Sequence, residues 1–255
     1  MNYIVAATTD IGLTKKTNQD SYKVRVFTTD MGKVVLAVLC DGMGGLAKGE
    51  VASASLINAF SEWSETRLPL LCASGITDSD IRNDWVNIAV DYNRKIKSYA
   101  ASYGINMGTT VTAMLLTETR YYIMNVGDTR AYEISNGVNI LTRDQTVVAR
   151  EVELGKLTPE EAERDPRRSV LLQCVGASDE VYPDMFFGDI KKDAVYMLCS
   201  DGFRHEITPD EIYAYLNPAV MTEVNGMKKN MESLISLNKY RQERDNITVV
   251  SVRTY

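Results

Sequence analysis

The sequence predicts an α+β domain of antiparallel sheets covered by helices. Two observations carry that reading. Strand-like apolar runs come in adjacent pairs joined by short turn-like segments, which is hairpin patterning. Long amphipathic helical patterns fall between those hairpins rather than after each single strand, so a doubly wound parallel sheet is disfavoured.

The elements follow in order. Residues 21–27 alternate apolar and polar, residues 28–32 (Thr-Thr-Asp-Met-Gly) read as a turn, and residues 34–40 form a continuous apolar run. That run marks a buried strand, and the pair reads as a hairpin. Two helical patterns come next. Ala52, Leu56, Ala59, Phe60 and Trp63 share one face, and Ile81, Trp85, Ile88, Tyr92, Ile96 and Tyr99 share another. A second hairpin joins residues 110–116 to 121–126. Residues 142–180 are polar and charged with one short helix, a flap-like surface segment of the kind that often carries binding function. A buried strand at 195–199, a helical pattern through Val224, Met227, Met231, Leu234 and Ile235, and a last strand at 247–252 complete the chain. Thr158-Pro159-Glu160-Glu161 and Thr208-Pro209-Asp210-Glu211 are capping boxes, each opening a short helix with a Thr cap and Pro in the first helical position. With no repeat and no Pro-, Gly- or Ser-rich linker, residues 1–255 read as one domain.

Composition narrows the function. The chain has 255 residues, 45% apolar and 24% charged, as expected of a globular protein with a full core. A net charge of −6 argues against a nucleic-acid partner. The four cysteines, at positions 40, 72, 174 and 199, form no CxxC pair, so zinc and redox motifs lack support. Free buried thiols suit a reducing cytoplasm. The N-terminus lacks the pattern of a signal peptide, and no apolar run is long enough to span a bilayer. The expectation is a cytoplasmic monomer without a membrane partner.

Five acidic residues fall where predicted strands begin or end: Asp20, Asp41, Asp128, Asp201 and Asp245. In a hairpin the start of the first strand and the end of the second lie at one edge, which places Asp20 beside Asp41. Carboxylates gathered at a rim either repel one another or hold divalent cations, and hard oxygen ligands suit magnesium, manganese or calcium. Two such ions can share a bridging water, lower its pKa and orient a phosphate for in-line attack. The only histidine is His205, so a Ser-His-Asp arrangement fails unless that one residue serves. Taken singly, each Asp is more often a turn former. Asp128 with Arg130 reads equally as a structural turn and ion pair. Gly44-Gly45 reads as a simple loop or as exposed amides that suit an anion. His205 alone reads as a partly exposed loop residue before the Thr208 cap.

Asn18-Gln19-Asp20, Asp41-Gly42-Met43-Gly44-Gly45, Gly108-Thr109-Thr110, Val126-Gly127-Asp128-Thr129-Arg130-Ala131-Tyr132, Cys199-Ser200-Asp201-Gly202 and Arg244-Asp245-Asn246-Ile247-Thr248 resemble the ordered motifs of the metal-dependent Ser/Thr protein phosphatases, the type-2C or PPM family, in a compact bacterial form. The resemblance runs from about residue 6 to residue 252. It implies a four-layer αββα sandwich of two antiparallel sheets flanked by helix pairs, with the metal site at one rim. It implies that Asp41 bridges two Mn²⁺ or Mg²⁺ ions, that the Gly42 carbonyl binds one of them, and that Asp201 and Asp245 bind the other. Asp20 would act from behind through water. Asp128, with Asp201, would hold a third, weaker metal. Lys15 would contact the substrate phosphate, and residues 142–180 would be the flap that shapes access. The implied activity is hydrolysis of phosphoserine and phosphothreonine in proteins by water bridging the metals, opposite a Ser/Thr kinase.

The chain also departs from the family pattern. Lys15 stands where an Arg is usual and offers a point charge rather than a fork. Gln19 replaces a frequent Glu and is a poorer ligand. His205 replaces an Asp linked to the third metal, and Met43 replaces a His used by animal members. These departures motivate an alternative, a pseudophosphatase scaffold that keeps the fold and turns over poorly. Joint retention of Asp41, Asp201 and Asp245 argues against it, since crowded buried carboxylates are costly without cations. A structural calcium protein ranks lower, because no Asp-x-Asp-x-Asp-Gly loop is present.

Overall fold

The structure, a computed structural model, describes residues 1–43 and 48–255. The Gly44-Gly45 reading lies outside the described residues. In chain order the elements are β1 (Tyr3–Asp10), β2 (Asp20–Thr29), β3 (Gly32–Asp41), α1 (Gly49–Thr66), α2 (Leu68–Ser74), α3 (Asp78–Ser102), β4 (Val111–Leu116), β5 (Arg120–Val126), β6 (Arg130–Ile134), β7 (Val138–Ile140), α4 (Val147–Glu153), α5 (Pro159–Arg164), β8 (Asp184–Asp189), β9 (Ala194–Cys199), α6 (Asp201–Arg204), α7 (Pro209–Leu216), α8 (Val224–Tyr240) and β10 (Ile247–Thr254). Two five-stranded sheets result, ordered β1-β10-β9-β6-β7 and β2-β3-β4-β5-β8. Every strand pairing is antiparallel.

The continuous apolar run of β3 explains the layering. Side chains alternate between the faces of a strand. Val35, Ala37 and Leu39 enter an apolar layer shared with Tyr196, Leu198, Val250 and Val252 of the opposite sheet. Val34, Leu36, Val38 and Cys40 face the other way, into a layer shared with Phe60, Trp63, Ile81 and Trp85 of α1 and α3. A third layer packs Val195, Met197 and Val249 against Met227, Met231, Leu234 and Ile235 of α8. Three apolar layers separate four layers of structure, so the αββα sandwich is present. Each large side chain buried there contributes about 1.5–3 kcal/mol. Trp85 meets Phe60 and Trp63 edge-on, at ring-centroid distances of 5.7 and 5.5 Å, which locks α3 against α1.

Both capping boxes form. The Thr158 and Thr208 hydroxyls accept from the amides of Glu161 and Glu211, whose carboxylates bond back. Several features differ from expectation, among them the strands β6, β7 and β8, which the pattern did not show. The segment 142–180 holds two helices, not one: α4 is capped by Thr146, which accepts from the Ala149 amide without a returning Glu. The half-capped helix carries no box pattern to read. The first hairpin turn is also tighter than expected, because β2 and β3 extend to Thr29 and Gly32, where Gly32 has a φ of 95°. Tyr99, expected on the buried face of α3, is exposed and lies 4.7 Å from the Tyr103 ring.

Candidate metal centre

The β2–β3 register sets Asp20 directly opposite Asp41. The end of β3 is pinned to β4: the Asp41 carbonyl accepts from the Thr110 amide and the Thr109 hydroxyl, each at 2.9 Å, and the Asp41 amide donates to the Thr110 hydroxyl at 3.0 Å. Asp201 follows β9 and Asp245 precedes β10, strands paired in the facing sheet. Asp20 reaches that sheet through its Oδ2, which accepts from the Thr248 hydroxyl at 2.6 Å.

Both Asp-Gly steps owe their glycine to close approach. A Cβ on Gly42 would lie 2.5 Å from the Gly49 carbonyl and 2.6 Å from the Gln19 carbonyl. A Cβ on Gly202 would lie 2.2 Å from the Asn246 carbonyl. Neither glycine has a positive φ, so the requirement is tight packing of strand ends rather than backbone freedom. Gly202 thereby presses the Asp201 turn against the segment that carries Asp245.

The loop bearing Lys15 is tied to that same segment. Asn246 donates to the Ile11 carbonyl at 2.9 Å and accepts from the Gln19 amide at 2.9 Å. Thr14 donates to the Arg244 carbonyl at 2.7 Å. Lys15 Nζ lies 2.6 Å from Asp245 Oδ1. Burial opposes its charge, but the Asp245 contact and the nearby Asp41 and Asp201 hold its pKa above the usual lysine value. Gln19 turns its amide toward Glu50, at 3.4 Å.

The electrostatics are those of crowded anions. Burial raises the Asp41 pKa well above the ordinary range, and Asp20, Asp201, Asp128 and Asp245 add to the rise. Asp20 is pushed up to about 7, by burial first, against the Thr248 hydrogen bond and with the charge of Asp201 adding. Buried oxygens Asp20 Oδ1 and Asp201 Oδ1 have no hydrogen-bond partner. Among the described residues, no three His, Cys, Asp or Glu side chains already close around one point as a metal cage. The donors share a rim, all are hard oxygens, and two buried oxygens lack partners. That chemistry fits magnesium or manganese.

Asp128 differs. Its carbonyl accepts from Arg204 Nη2 at 3.0 Å, and its Oδ2 lies 3.6 Å from the same nitrogen. Arg204 also faces Asp144, at 3.2 Å, which Arg130 grips with two 2.8 Å hydrogen bonds. The ion pair of Arg130 is therefore with Asp144, not with Asp128. A guanidinium already stands beside Asp128, so these residues fit a third cation poorly.

His205 does lie in the bend between α6 and the Thr208 cap and is partly exposed, but its ring is engaged. It caps α6 with its side chain only 11% exposed, Nε2 3.5 Å from Asp201 Oδ2 and Nδ1 3.2 Å from Glu243 Oε2. Burial lowers its pKa, but Glu243 and Asp201 outweigh burial and leave it raised. Glu243, Asp144 and Arg204 escaped sequence reasoning. They are ordinary charged residues whose only signal was adjacency to the Asp201 and Asp245 motifs or to the strand end after β7.

A family model for protein phosphatase 2C matches residues 14–234. The chain belongs to the protein phosphatase 2C family. A serine/threonine phosphatase of Listeria innocua is 31% identical over 254 residues, which cover 96% of this chain and 93% of that protein. The structure of the S. agalactiae serine/threonine phosphatase matches with a TM-score of 0.84 at 29% identity, covering 100% of both chains. The catalytic domain of the phosphatase PstP, crystallised in complex with two manganese ions, matches with a TM-score of 0.77 at 27% identity and covers 98% of this chain and 97% of that one. As a protein phosphatase 2C, this chain is a metal-dependent phosphoprotein hydrolase. No helix among the described residues is long and apolar enough to cross a membrane.

Proposed function

We propose that this protein phosphatase 2C hydrolyses phosphoserine and phosphothreonine in proteins with two divalent cations, Mn²⁺ or Mg²⁺. Asp41, the Gly42 carbonyl, Asp201 and Asp245 are the residues that hold them, with Asp20 acting through water. One observation carries the reading: carboxylates of both sheets meet at one rim, and two of their buried oxygens, Asp20 Oδ1 and Asp201 Oδ1, lack partners. Such oxygens are costly unless a cation satisfies them. Bound there, the cations supply an activated water at neutral pH and offset charge on the phosphoryl group.

The chain's own residues do the rest. Lys15 stays cationic at the rim and meets the incoming phosphate as a point charge. The ties from Asn246 and Thr14 hold its loop against Asp245, so the ammonium arrives pre-positioned. Met43 is a thioether and cannot protonate a leaving alkoxide. Residues 142–180, with α4 and α5, form the flap that shapes substrate access, and Asp128 serves structure rather than a third metal.

The biological setting follows the same reading: a cytoplasmic monomer, a counterpart Ser/Thr kinase, and neither nucleic acid nor membrane as partner. No observation favours the scaffold alternative. The test is hydrolysis of a phosphothreonine peptide with Mn²⁺ and with EDTA, alongside Asp201→Asn. Turnover that requires metal and is lost in a folded Asp201→Asn supports the assignment. Metal-independent turnover, or an active variant, overturns it.

A further inference from the structure

We infer that His205 and Glu243 are a positioning pair that ties the Asp201 carboxylate to the backbone of Asp245. The contacts form one continuous path. Asp201 opens α6, and one turn later His205 returns its Nε2 to Asp201 Oδ2 at 3.5 Å, an ion-pair distance rather than a close hydrogen bond. The other ring nitrogen, Nδ1, faces Glu243 Oε2 at 3.2 Å. The second Glu243 oxygen, Oε1, accepts from the backbone amides of Arg244 and Asp245 at 2.6 and 2.8 Å. The three side chains are 9%, 11% and 7% exposed, in that order.

This arrangement assigns the two Asp201 oxygens different work. Oδ2 is held by the imidazole, while Oδ1 is buried without a partner. Fixing one oxygen orients the other, which is how residues behind a metal ligand set its geometry. An imidazole between two carboxylates has its ring plane fixed from both sides. The path also joins the turn after β9 to the segment between α8 and β10, beside the hydrogen bond from Arg241 to the Glu206 carbonyl. Asp201 and Asp245 therefore keep a set separation before any cation arrives. The inference rests on the two-metal reading above.

The test uses the full chain and four variants: His205→Ala, His205→Gln, Glu243→Gln and the double variant His205→Ala/Glu243→Gln. Mn²⁺ affinity is read by calorimetry, and kcat and KM are read on a phosphothreonine peptide. Loss of a residue behind a metal ligand typically costs roughly 10- to 100-fold in affinity or activity, and His205→Ala is expected to weaken Mn²⁺ binding and kcat by that amount with little change in KM. His205→Gln, whose amide nitrogen reaches the place of Nε2, is expected to recover most of the Mn²⁺ affinity. The double variant is expected to lose less than the sum of the single losses, as coupled residues do. Unchanged Mn²⁺ affinity in His205→Ala, a Gln variant as weak as Ala, or strict additivity would overturn the pairing. If His205→Ala fails to fold, the near-isosteric Glu243→Gln decides alone: Mn²⁺ affinity equal to the parent overturns the inference. A parent protein that neither binds Mn²⁺ nor turns over sinks the two-metal reading itself, and a parent that does both beside an unaffected His205→Ala sinks only this inference.

Discussion

Replacing Asp20 with Asn should stabilise the protein in EDTA while impairing turnover. Burial, with Asp201 adding and the Thr248 hydrogen bond opposing, raises the Asp20 pKa from 3.8 to about 7. A folded-state pKa above the unfolded value means that the folded protein binds the proton more tightly. The penalty is absent below about pH 4, where both states are protonated, and grows as pH rises toward about 7. Above that it is complete. About three pH units at ~1.4 kcal/mol each set a ceiling of ~4 kcal/mol. Asp41 and Asp201 share the crowding, so about half, ~2 kcal/mol, is the working figure for removing one charge. For a domain of this size each kcal/mol moves Tm by roughly 2–4 °C, so the variant should melt about 4–8 °C higher at about pH 8 and no higher at about pH 4. The Asn side-chain oxygen can still accept from Thr248, which keeps the comparison clean. Thermal unfolding followed by circular dichroism in EDTA reads the difference. Equal or lower Tm for Asp20→Asn at the higher pH would refute anion crowding as the cost carried by this rim. Saturating Mn²⁺ should reverse the order, because ligand bound to the folded state adds stability in proportion to its affinity.

Gly202→Ala would set a Cβ 2.2 Å from the Asn246 carbonyl and 3.3 Å from Asp245 Cβ. Overpacking of this kind costs about 1–3 kcal/mol, and urea unfolding should show that loss together with a fall in kcat. Normal stability would mean that the strand end yields freely. Lys15→Arg should lower KM for phosphate esters several-fold, since a guanidinium fork grips phosphate better than an ammonium, and an unchanged or raised KM counts against Lys15 as the phosphate contact. Arg204→Ser removes the cation beside Asp128, so calorimetry should detect a further, weak Mn²⁺ binding event. A stoichiometry equal to that of the parent would show that the guanidinium is not what disfavours a third metal.

Local physics made much of the architecture readable in the chain itself. The β3 run is apolar at every position because both of its faces are covered, and that showed as an unbroken stretch from Val34 to Cys40. The helices α7 and α5 were legible from their boxes because a cap is written within four residues. The carboxylates were legible because each lies at or within two residues of a strand end, and hairpin geometry alone puts Asp20 beside Asp41. Short edge strands such as β7 and β8, and the half-capped α4, have too little pattern of their own and are held by what they pack against.

The partners of the site were decided only in three dimensions. Arg130 finds Asp144 rather than Asp128, His205 finds Glu243 across 38 positions, and Lys15 finds Asp245 across most of the chain. Each is one of many charged residues, and nothing in its neighbours names its partner. The same holds for Gly42 and Gly202, whose need for glycine comes from the backbones that press on them. Sequence determined which residues stand at strand ends, since periodicity and capping act over a few residues. The tertiary structure decided which of those ends meet and which charges face one another, since that depends on how two sheets are laid together.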